Sequence, residues 1–115
     1  MPTFNLQTNV PGDRVSASQI VADLSKAVAQ ATGKPEGYVM VSLETGKQMM
    51  FGGTEEPCAF GELISIGSIG GEKNKKISAA LAEVVQRHLG VPASRMYIKF
   101  YDVARSDFGW NGTTF

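Results

Sequence analysis

The sequence predicts an α+β (α/β) domain in which two βαβ units share one four-stranded mixed sheet and set both helices on the same face. Three observations carry that prediction. Two runs, IVADLSKAVAQA and ISAALAEVVQRHL, have helical apolar spacing, and four segments are rich in β-branched and aromatic residues. The two halves of the chain also repeat. Ile20 and Ile77, Leu24 and Leu81, Val28 and Val85, Gly33 and Gly90, and Pro35 and Pro92 are all separated by 57 positions.

Taken in chain order, the first strand is TFNLQTNV. The first helix, Ile20 to Ala31, turns Ile20, Val21, Leu24, Ala27, Val28 and Ala31 to one side, with Ser16 or Ser18 as its cap. Gly33 suits the left-handed position after a helix, and Pro35 prevents continuation. The second strand is YVMVSL, Tyr38 to Leu43. In the second half, GELISIG aligns Leu63 with Leu6, Ile77 to Leu89 forms the second helix, and Gly90 and Pro92 repeat the stop signal before MYIKFY. Each crossover should be right-handed. Two helices cover only one sheet face, and the strands carry apolar residues on both sides, so the other face calls for a partner chain. The tail RSDFGWNGTTF adds a short strand with Phe108, Trp110 and Phe115, aromatics suited to a contact surface.

The composition narrows the function. With 115 residues and 43% hydrophobic content, positions 1–115 form one domain with a packed core. No run approaches the roughly 20 apolar residues of a membrane span, and the start lacks a secretory signal, so cytoplasmic synthesis and no membrane partner are expected. Eleven basic residues balance eleven acidic ones without a basic aromatic stripe, which argues against nucleic acid. A single Cys58 and a single His88 supply neither a disulfide framework nor a metal cluster. Cys58 reads as a small buried hydrophobe, and His88 as a surface residue or a charge at a helix C-terminus. SIGSIGG lacks both nucleotide-binding glycine patterns. Lys73, Lys75 and Lys76 read as a solvated face. Asn111-Gly112-Thr113 matches a glycosylation acceptor that is expected to go unused without a signal peptide.

Pro2 carries a chemical choice. Behind a retained Met1 its nitrogen is a tertiary amide with no proton and no available lone pair, whereas removal of Met1 leaves a free secondary amine, which is a base. By spacing alone, Lys34 reads as the cation that offsets the dipole at the end of the first helix, and Phe51 and Tyr97 read as sheet-face packing.

The segments MPTFNLQTNVP, ATGKPEGYVMV, MMFGGTEEPCAFGELISIGSIGG and YIKFYDVARSDFGWNGTTF resemble, nearly end to end, the macrophage migration inhibitory factor and D-dopachrome tautomerase family. Lys99 gives the pattern of plant and algal members more than of animal ones. The resemblance implies a homotrimer around a central channel, with edge strands continuing into the neighbouring subunit. It also implies cofactor-free keto-enol tautomerisation of small aromatic α-keto acids, such as phenylpyruvate, or of dopachrome-like compounds. Carried onto this chain, Pro2 is the general base, Lys34 holds a substrate carboxylate, the Ile66 N–H binds another oxygen, and Ser65 lies in the same binding region. Tyr97 arrives from the adjacent subunit, with Lys99 in the pocket and Phe51, Phe108 and Trp110 forming walls or rim. A cytokine-like role at a cell-surface receptor, with a vestigial pocket, is the second implication. Some family members leave the cell without a signal peptide.

The chemistry agrees with those roles. Moving a proton between a carbon and the oxygen of its neighbouring carbonyl needs a base whose pKa lies near the working pH and a cation to steady the enolate. An ordinary amine is too basic, but an apolar pocket and a nearby lysine both disfavour its charged form. Three departures qualify the resemblance. Lys99 replaces the Asn usual in animal members and predicts weak or altered activity; Cys58-Ala59-Phe60-Gly61 lacks the second thiol of a Cys-x-x-Cys pair; and Gly12 and Gly46 replace the charged pair associated with chemokine-receptor mimicry.

Overall fold

A computed structural model describes residues 1–115. The strands are β1 (Thr3–Thr8), β2 (Met40–Glu44), β3 (Ala59–Ser65) and β4 (Met96–Asp102), and the helices are α1 (Ala17–Thr32) and α2 (Gly71–Leu89). A terminal hairpin pairs β5 (Gly109–Trp110) with β6 (Thr113–Thr114). The sheet order is β2-β1-β3-β4; β1 runs parallel to β2 and antiparallel to β3, and β3 runs parallel to β4. This is the expected mixed sheet built from two βαβ units.

The repeated residues explain the core. Ile20, Leu24 and Val28 on α1 and Ile77, Leu81 and Val85 on α2 are all fully buried, so each 57-residue pair fills the same place in its half. Phe4, Leu6 and Leu63 meet them from the sheet. Removing such side chains from water supplies the main drive for folding, at about 1.5–3 kcal/mol each. Ser16 caps α1 by accepting the Gln19 N–H, and Gly33 and Gly90 close the two helices with φ of 71° and 68°. Those are the left-handed stops the sequence predicted.

Three details differ from expectation. Helix α2 begins at Gly71, six residues before the apolar pattern starts at Ile77. Residues Glu72 to Lys76 carry no apolar stripe, yet they form helix readily and face solvent, with Lys75 paired to Glu72 at 3.0 Å. Second, Tyr38 lies in a 3-10 turn over Glu36–Tyr38, so β2 starts two residues late. Third, the sheet face away from the helices does carry apolar residues, as expected, but mixes them with polar and charged ones. Period-two alternation puts Thr3, Asn5, Gln7, Ser42, Glu44, Glu62 and Lys99 on it beside Met40, Phe60, Ile64, Tyr97 and Tyr101, with bonds from Ser42 to Asn5 (2.7 Å) and from the Tyr101 hydroxyl to Glu62 (2.8 Å). Apolar exposure concentrates at the corners, where Met40 and Tyr97 are 65% and 66% exposed.

Candidate active site

One end of the sheet gathers most of the residues singled out by sequence. Thr3 lies opposite Ile64, so one step further along this antiparallel register sets Pro2 opposite Ser65 and Met1 opposite Ile66. Pro2 is fully buried, and its carbonyl accepts the Met40 N–H at 3.1 Å, which ties the chain start to the head of β2. Lys34 follows Gly33 at the end of α1, near enough for its charge to act on the chain-end amine. Partial burial first, and the Lys34 ammonium second, hold this amine, which belongs to Met1, below its ordinary pKa of 8.0. Lys34 itself makes no ion pair.

The turn after β3 presents backbone polarity at the same end. No hydrogen bond takes up the Ile66 N–H. Ser65 does not offer its hydroxyl here: it is fully buried and donates to the Gly67 carbonyl at 2.7 Å, so its part is to shape the turn. Phe108 and Trp110 sit in an aromatic cluster with Tyr38 and Phe115. Trp110 stacks on Phe115 with centroids 5.3 Å apart, and Tyr38 meets both rings edge-on at 5.9 and 6.2 Å. Tyr38 belongs to the turn that leads from Lys34 to β2, so the cluster borders the Pro2 end.

The remaining candidates lie elsewhere. Tyr97 pairs with Phe60, four positions along β3 from the partner of Thr3, which sets it about 13 Å down the sheet. Its ring packs on Phe51 at 5.0 Å. Lys99 shares the open face with Tyr97, lies opposite Glu62 and holds its ammonium 5.4 Å from the Tyr101 ring centroid. Glu62 is engaged by the Tyr101 hydroxyl and raises that phenol's pKa, chiefly through the hydrogen bond. Within one chain, then, Tyr97, Phe51 and Lys99 do not meet Pro2.

Sequence reasoning passed over several residues that fix this geometry. Arg95 donates to four carbonyls of the 51–57 loop, those of Phe51, Thr54, Glu56 and Pro57, at 3.0–3.3 Å, while Asn9 holds the same loop at Glu55 and Glu56. Asp102 accepts the Gly67 N–H at 3.0 Å. None of these contacts leaves a periodic or motif signal. His88 lies in the last turn of α2, one of the two places expected for it, and also meets Asp23 of the other helix at 2.7 Å, where Arg87 reaches the same oxygen at 3.4 Å. Cys58 is buried, as expected. No group of three or more His, Cys, Asp or Glu side chains is arranged to hold a metal.

Two βαβ units sharing one four-stranded mixed sheet, with both helices on one face, define a class of small α/β proteins. All 115 residues match the family described as macrophage migration inhibitory factor (MIF). The chain belongs to that family. It is 46% identical to a macrophage migration inhibitory factor homolog of Trichuris trichiura over the full length of both chains, and 42% identical to the Xenopus laevis protein, covering 100% of this chain and 99% of that one. The solved Trichinella spiralis structure superposes with a TM-score of 0.93 at 41% identity, covering 98% of this chain and 99% of that one. The Prochlorococcus marinus homologue gives 0.91 at 39% identity, with 98% of each chain covered.

Proposed function

We propose that the protein is a cofactor-free keto-enol tautomerase of small aromatic α-keto acids, with Pro2, freed by removal of Met1, as its base. The observation that carries this reading is the fully buried Pro2 next to a Met1 amine whose pKa is lowered by burial and by Lys34. Removing Met1 moves the free amine one residue inward, to the buried Pro2 position. Its lone pair would take the proton from the carbon beside the keto group, and the same nitrogen would return it to the oxygen, so no cofactor enters the balance. Lys34 would hold the substrate carboxylate, and the Ile66 N–H would bind a second oxygen.

The reading requires a second copy. Met40 marks the Pro2 end of one edge strand, and Tyr97 marks the opposite end of the other, so a head-to-tail ring would bring one copy's Tyr97 and Lys99 to the next copy's Pro2. A closed trimer would satisfy that geometry and would turn the open sheet faces toward a central channel. Lys99 would then add a second cation to the pocket and alter selectivity among anionic substrates.

The test is the Pro2→Gly variant, assayed with phenylpyruvate after Met1 removal is confirmed. A fall of about 10²-fold or more in kcat/KM is expected, because the variant offers a primary amine that no ring holds in place of the positioned secondary amine. Unchanged turnover would sink the proposal. The relatives' names favour a second reading, a cytokine-like binding protein with a vestigial pocket. That reading predicts receptor binding by a wild type that turns over no keto acid.

A further inference from the structure

We infer that Asp102 is a positioning residue for the proposed site: together with Ser65 it locks the turn after β3, so that the Ile66 N–H stays aimed at the Pro2 end of β1. This inference rests on the tautomerase reading for its catalytic meaning, while its structural content stands on bonds already described.

The peptide plane between Ser65 and Ile66 sets the direction. Its carbonyl accepts the Val103 N–H at 3.0 Å and therefore points toward β4. In a planar trans peptide the N–H points opposite to the C=O. The Ile66 N–H is thus turned toward β1, where the register sets Met1 opposite Ile66 and Pro2 opposite Ser65. No partner in the chain takes it up.

Holding that direction requires the next planes to be fixed as well, because the chain leaves regular structure at once. Gly67 has φ of 70° and Ser68 has φ of 63°, the latter a left-handed conformation unusual for a residue with a side chain. Left to itself, such a turn relaxes toward commoner backbone angles. Asp102 and Ser65 oppose this by binding both polar groups of Gly67: the carboxylate accepts its N–H at 3.0 Å, and the buried Ser65 hydroxyl donates to its carbonyl at 2.7 Å. On the far side, Asn74 accepts the Gly70 N–H at 2.8 Å. Asp102 supplies the one anionic contact in this set. It comes from β4 in register with Ser65, so the sheet itself delivers it.

Asp102 touches no reacting atom in this scheme; it acts through Gly67 and Ile66. Losing its acceptor should weaken the grip on one substrate oxygen without altering the base. Asn at this position retains an acceptor oxygen, whereas Ala does not.

The experiment compares wild type, Asp102→Asn and Asp102→Ala by two-dimensional amide NMR during phenylpyruvate titration, with turnover and its pH profile measured on the same samples. The expected result is a ligand-dependent shift of the Ile66 amide in wild type. Affinity should be three- to tenfold weaker in Asp102→Ala and near wild type in Asp102→Asn, with the pH profile of kcat unmoved. Unaltered affinity in a folded Asp102→Ala protein overturns the inference, as does failure of Asn to restore it or an Ile66 amide that ignores the ligand. Wild type that binds but never turns over phenylpyruvate defeats the tautomerase reading alone, since the binding comparison still decides the role of Asp102. Wild type that does not bind phenylpyruvate overturns both.

Discussion

The Met1 amine and Asp23 show two ways in which a single residue's proton depends on its neighbours. At Pro2 the sequence offers only a choice between amide and amine; burial and the nearby Lys34 are three-dimensional facts, and no spacing rule announces them. The repeat does place Lys34 directly after the helix-ending Gly33. Asp23 was not legible as a functional acid or as a structural one, because its partner His88 is 65 residues away. The His88 hydrogen bond, followed by that of Gln19 and the charges of His88 and Arg87, holds the Asp23 carboxyl below its ordinary value of 3.8 against the opposing effect of burial. A depressed folded-state pKa contributes stability that is fully present above the unfolded value and is lost as pH falls through the folded one. Asp23→Asn should therefore shrink the drop in urea midpoint between pH 7 and pH 3. An identical drop in variant and wild type would show that the clasp does not govern acid sensitivity.

At the level of elements, the fold was largely readable because helices and strands leave periodic traces and this chain writes them twice. The matched pairs Ile20/Ile77, Leu24/Leu81 and Val28/Val85 occupy the same buried roles, and both glycine stops adopt left-handed backbone. What the pattern missed is what carries no periodicity, such as the lysine-rich first turns of α2 and the Arg95 clamp on the 51–57 loop. Close approach is equally invisible in a linear chain. Gly61 sits mid-strand opposite Leu6, and a Cβ there would lie 2.6 Å from the Phe4 ring. Gly61→Ala should cost about 1–3 kcal/mol in chemical denaturation because a buried phenyl ring must move. No loss of stability would mean that β1 and β3 have room to separate.

For the whole molecule, the single chain keeps its two groups of candidate residues at opposite ends of the sheet, and the open face mixes Met40, Phe60, Ile64, Tyr97 and Tyr101 with polar residues, so covering apolar strands is only part of the argument for assembly. The case for assembly rests also on the exposed corners at Met40 and Tyr97 and on the proposed pocket, which needs residues from a second copy. Sedimentation equilibrium should give three times the 12.3 kDa chain mass; a monomer at micromolar concentration would leave Tyr97 and Lys99 without a role at Pro2. The central claim is that the freed Pro2 amine is the working base, and it is tested most directly by phenylpyruvate turnover on protein separated, and verified by intact mass, into forms with and without Met1. The account predicts turnover by the form lacking Met1 and none by the form that retains it. Equal turnover by both forms, or none by the processed one, would contradict it.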